Sequence, residues 1–204
     1  MRPNRAIALH LAGALLAIAA APAHAHLVET GFGAFYDGLA HVVLTPADLL
    51  VVIALALLAG QRGTQAARWA LLALPAAWLA GGAIGARFPA EAALPLLTTL
   101  TFAVAGTLVV LDAKLRAAGV AVLAGAVGLL HGFVNGATMM PGGASTLALA
   151  GAVTAVFSIV AILAAQVTTL RAGWTRIAVR VAGSWIAAAG VLMLGWLARP
   201  VLSV

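Results

Sequence analysis

Asp37, His41, Asp48 and His131 are ionisable residues set within apolar stretches of this 204-residue chain, and Asn135 and Thr138 follow His131 at i+4 and i+7. Imidazole and carboxylate together suit late first-row divalent metals such as nickel, cobalt, copper or zinc. The same pair can relay protons, or serve only as a hydrogen bond that holds two helices in register. All three chemistries fit the residue types. Cysteine is absent, so thiolate ligands, disulfides and cysteine nucleophiles are excluded. Nitrogen, oxygen and thioether donors remain.

Helix geometry groups these residues. At about 100° per residue, Asp37 and His41 differ by about 40° and Asp37 and Asp48 by about 20°, so the three point one way. Pro46 removes the hydrogen bond to the carbonyl of Val42 and kinks or breaks the helix there. Interrupted helices in transporters turn freed carbonyls toward ions, whereas a Thr45 hydroxyl bonded to that carbonyl would leave an ordinary kink. His131, Asn135 and Thr138 form a second polar stripe. The two stripes meet only if their helices are neighbours. Two further donor sets exist: the α-amine and imidazole that His26 would expose as a new N-terminus, and the Met139–Met140 thioethers. They read as an ordinary disordered terminus and as lipid-facing apolar residues.

The elements that carry these residues follow from composition. The chain is 64% apolar and only 8% charged, with a mean hydropathy of +1.14. Soluble domains carry about 25% charged residues, so a soluble enzyme, a nucleic-acid binder and a disordered tail are excluded. Arg2 and Arg5, an apolar run over residues 6–20 and the Ala23-His24-Ala25 ending make a signal peptide over residues 1–25. Apolar runs then predict six transmembrane helices at about residues 39–60, 69–85, 92–111, 117–134, 146–170 and 177–197. Each is near the length that crosses a hydrocarbon core of about 30 Å. The expected fold is all-α, a polytopic membrane helix bundle over residues 26–204.

Basic residues orient the bundle. Arg62, Arg68, Lys114, Arg116, Arg171, Arg176 and Arg180 fall in or beside the connections after the first, third and fifth spans. Arg87 and Arg199 alone fall on the other side. By the positive-inside rule both mature termini are expected in the periplasm of an inner (cytoplasmic) membrane protein. Small residues at Ala124, Gly128, Gly132 and Gly136 form a ridge for close helix packing, as do Gly81, Gly82 and Gly85. Trp69, Trp174 and Trp196 stand near span ends, where aromatic belts form. Thr98, Thr99, Thr101 and Gln166 are suited to hydrogen bonds between helices.

The sequence resembles the HupE/UreJ membrane proteins, associated with nickel supply to hydrogenase and urease. The resemblance rests on Gly31-Phe-Gly-Ala-Phe-Tyr-Asp-Gly-Leu-Ala-His41, on His41-Val-Val-Leu-Thr-Pro-Ala47-Asp48, and on His131-Gly132-Phe133-Val134-Asn135-Gly136-Ala137-Thr138. Family members carry His-x5-Asp-His in the first mature span and His-Gly-x-x-His-Gly-x-Glu in a later one. Here Ala47 and Asp48 stand at the Asp and His positions of the first motif, and Asn135 and Thr138 at the second His and the Glu of the second. His41, His131, Gly132 and Gly136 match. The resemblance implies a permease-like membrane protein, not an enzyme, that handles a divalent transition metal ion. Nickel or cobalt would be the cargo, copper less so, at a site of Asp37, His41, Asp48, His131 and Asn135. Its partners would be the lipid bilayer, the metal ion and a metalloenzyme maturation system, and no nucleic acid. The alternative is an accessory or scaffold protein that kept the fold and lost transport.

Overall fold

A computed structural model describes residues 30–88, 94–139, 146–171 and 173–202. The signal peptide expected over residues 1–25, His26 and Met140 lie outside the described residues. Seven helices and no strand occur among those described: α1 (Ala34–Leu44), α2 (Pro46–Gln61), α3 (Thr64–Gly85), α4 (Pro95–Val110), α5 (Ala117–Met139), α6 (Thr146–Thr169) and α7 (Gly173–Leu202).

Pro46 divides the first expected span in two. Thr45 is extended, at φ −91° and ψ 106°, as a residue before proline prefers. Pro46 opens α2 at its first turn, where its missing N–H costs nothing. The axes of α1 and α2 differ by 75°. Helices α3, α5, α6 and α7 are each long and apolar enough to cross a membrane, and the bent α1–α2 pair makes a fifth crossing if it is one span. The third expected span, 92–111, is the 16-residue helix α4, and its expected first residues, 92 and 93, lie outside those described. At 1.5 Å per residue it covers about 24 Å, less than the hydrocarbon thickness of about 30 Å.

Helix α2 is the centre of the bundle. Residues 51–60 are apolar on every side, and all but Ile53 are buried. A helix with no polar face must be surrounded, and α2 touches α3, α4, α5, α6 and α7. Glycines set the closest crossings. A Cβ at Gly132 or Gly136 would meet the backbone of Trp78 or Gly82 on α3, and one at Gly81 or Gly85 would meet Leu129 or Phe133 on α5. Backbone therefore lies on backbone, the packing that small residues permit within a membrane. Gly38 and Gly151 join α1 to α6 in the same way, and Gly106, Gly183 and Gly190 join α4 to α7.

Trp69, Trp174 and Trp196 are exposed on the outside of the bundle. Met139, read from the sequence as lipid-facing, is instead buried, because Ala148 of α6 and Ala34 of α1 pack against it. The α2–α3, α4–α5 and α6–α7 connections lie together at one end. Arg62 is paired there with Asp112, which also accepts a 2.6 Å hydrogen bond from Lys114.

Candidate functional site

The break at Thr45 places His41 in the last turn of α1 and Asp48 in the first turn of α2. Both positions suit their side chains, since carboxylates are favoured at helix N-termini and imidazoles at C-termini. The expectation that Asp37, His41 and Asp48 share one face assumed an unbroken helix. The 75° bend voids that geometry, yet it brings His41 Nε2 to 4.0 Å from Asp48 Oδ2.

Asp48 is also where the two polar stripes meet. Helix α5 supplies His131, whose Nδ1–H donates to Asp48 Oδ1 at 2.7 Å, and Asn135, whose Nδ2 donates to Asp48 Oδ2 at 3.0 Å. The same Nδ2 donates to the His131 carbonyl at 2.8 Å, which holds the amide in place. Asp48, His131 and Asn135 are 4%, 0% and 2% exposed, so water does not compete for these bonds. A buried polar network of this kind is costly to leave half-paired. Asn135 Oδ1 is nevertheless buried with no partner.

Two side chains that the sequence left without a role complete the surroundings of His131. Thr101 Oγ1 on α4 lies 2.8 Å from Nε2. The Trp78 indole on α3 lies against the imidazole with centroids 5.5 Å apart and planes tilted by 34°. Both ring nitrogens of His131 are thus engaged, and its ring is held from three neighbouring helices, α2, α3 and α4. Thr101 stood with Thr98 and Thr99 as suited to interhelical bonds, and only it makes one to a side chain of the site. Thr98 bonds back to Leu94 and Pro95 carbonyls on its own turn, and Thr99 Oγ1 is buried without a partner. Gln166 is exposed. No sequence signal singled out Trp78, because its partner comes from another helix.

Asp37 does not join this cluster through any bond among the described residues. Its carboxylate accepts from the Thr30 N–H at 2.7 Å and the Thr30 hydroxyl at 2.6 Å, which ties the segment before α1 to that helix. Thr138 also turns away, donating to the Val134 carbonyl of its own helix at 2.8 Å. Among the described residues no three His, Asp or Glu side chains are grouped so that they could hold a metal ion.

The family described as HupE / UreJ protein matches residues 14–193. The chain belongs to the HupE/UreJ family. No curated protein and no solved structure matches it. Together with the membrane-length helices, the family makes this a multi-pass membrane protein. In this HupE/UreJ chain the two motif regions face each other across Asp48. The side chain at each motif position decides what it contributes: Asp48 and Asn135 enter the cluster, whereas the short Thr138 side chain serves its own helix.

Proposed function

We propose that this protein is a permease-like carrier for a divalent transition metal ion, with nickel or cobalt the cargo suggested by its family. One observation supports the reading above the others. His41 Nε2 and Asp48 Oδ2 are 4.0 Å apart, beyond a hydrogen bond and about twice a metal–nitrogen or metal–oxygen distance of roughly 2.0–2.2 Å. An imidazole and a carboxylate separated by that gap can share one cation. Asp48 offsets part of the ion's charge, and His131 and Asn135 hold its carboxylate in position. Pro46 has no N–H, so the Val42 carbonyl lacks a helical donor at the same break, as in transporters whose interrupted helices bind cations.

A second reading, a membrane accessory protein without transport, draws on a different observation. Both nitrogens of His131 are occupied by Asp48 and Thr101, so that imidazole has no lone pair to offer in this arrangement. Whole-cell uptake of radioactive nickel and cobalt separates the readings. His41→Ala and Asp48→Asn are expected to lower uptake at least tenfold at equal membrane abundance. Wild-type uptake of nickel, cobalt, copper and zinc by His41→Ala and His131→Ala would remove the carrier reading and leave the accessory one.

A further inference from the structure

The end of the bundle opposite the direction in which α1 enters carries a cavity of about 650 Å³ between the ends of α2 and α6, the α4–α5 connection and the start of α7. Arg171, Arg176 and Arg180 line it, and Val167 and Ile177 supply apolar wall. Arg180 donates its Nε–H to the Val110 carbonyl at 2.7 Å, whereas Arg171 and Arg176 make no hydrogen bond among the described residues. Asp112 also lines the cavity, but Arg62 and Lys114 already pair with it. Positive charge therefore remains in excess around the space. Gly173, the first residue of α7, lies on the wall as well, so the positive end of that helix adds to the field.

Positive-inside placement accounts for arginines in cytoplasmic connections, but it asks only that they lie on one side of the membrane. It does not ask that three guanidinium groups surround one space with apolar walls. We propose that this cavity binds the phosphate of an anionic phospholipid head group, with the acyl chains leaving along the apolar surface beside it. Guanidinium forks match phosphate oxygens in pairs, and basic pockets between membrane helices take such head groups. The exposed apolar side chains of α7 nearby, Trp174, Ile177 and Val181, supply the surface on which acyl chains can lie. The site is independent of the polar cluster at Asp48.

The test uses the full-length protein in detergent, with native mass spectrometry to count retained lipid. Phosphatidylglycerol, phosphatidylcholine and inorganic phosphate are added separately. The wild-type protein is expected to retain phosphatidylglycerol over phosphatidylcholine, and to lose it as salt rises. Each arginine near an anionic lipid contributes about a fivefold preference, so Arg171→Gln with Arg176→Gln should weaken retention by about 30-fold. Arg171→Lys with Arg176→Lys should restore part of it, since the charge returns without the paired fork, a recovery that a folding defect would not show. Equal retention of the two lipids, retention insensitive to the glutamine pair, or protection by inorganic phosphate with no lipid preference would each overturn the proposal.

Discussion

Exchanging the carboxylate and the amide across the α2–α5 contact tests whether Asp48 holds these helices together. In Asp48→Asn one oxygen can still accept from His131 Nδ1–H or from Asn135 Nδ2, found at 2.7 and 3.0 Å in the native pairing. Turned toward Asn135, the new NH₂ meets another donor; turned toward His131, it is accepted only if the imidazole moves its proton to Nε2, beside Thr101 Oγ1. Either way the charge-assisted bonds to the carboxylate are lost, costing about 2–3 kcal/mol. Asn135→Asp alone sets two carboxylates against each other and is destabilising for the opposite reason. The double variant again places a donor opposite an acceptor. Its recovery stops short of wild type, because the acid at 135 also faces the His131 carbonyl that the amide now serves at 2.8 Å. Unfolding by sodium dodecyl sulfate in mixed micelles, followed by tryptophan fluorescence, gives the four stabilities. A coupling energy of at least about 1.5 kcal/mol is expected for such contacting residues. Additivity within about 0.5 kcal/mol, the behaviour of independent sites, would refute the pairing. Metal uptake should stay low in the double variant, since its carboxylate has moved from beside His41.

Two further predictions concern packing and pH. Gly132→Ala drives a methyl group into the Trp78 backbone and should cost about 1–3 kcal/mol in the same titration. At Gly125 a Cβ would have nothing within 4 Å of it, so alanine there should be accepted with a gain of up to about 1 kcal/mol. Equal effects at the two sites would show that the α3–α5 seam is not closely packed. At Asp112 burial raises the carboxyl pKa, but the Lys114 hydrogen bond and the charges of Arg62, Lys114 and Arg176 outweigh it, leaving the group below its ordinary 3.8. A depressed folded pKa stabilises above the unfolded value and loses that contribution as pH falls, so the melting temperature should drop on acidification below about pH 4. Asp112→Asn should flatten that drop, and an unchanged acid slope in the variant would discount the ion pair.

Much of the polar cluster was legible because membrane sequences contain so few ionisable groups. An aspartate or histidine in an apolar stretch must find a polar partner, which picked out His41, Asp48, His131 and Asn135 before any contact was known. Pro46 was legible too, as a residue whose missing N–H interrupts the helix. The helical-wheel grouping of Asp37 with the other two failed for a local reason. It carried one axis across a bend of 75°, and Thr30 took up the Asp37 carboxylate instead. Thr101 was indistinguishable from Thr98 and Thr99, since three hydroxyls on one helix differ only in what lies opposite each.

Composition and spacing by themselves determined an all-helical membrane bundle, a kink or break at Pro46, glycine seams for close packing and the short set of polar residues from which a site could be made. These properties belong to single residues and local stretches, and the cost of burying backbone and charge in lipid enforces them. The tertiary structure alone decided that α2 is central, that α5 meets it at Asp48, and that Trp78 and Thr101 hold His131. It also decided that Arg171, Arg176 and Arg180, around the start of α7, line one cavity with the ends of α2 and α6. Such juxtapositions depend on which helices are neighbours, and apolar helix surfaces of similar composition carry little information about the partner each will choose.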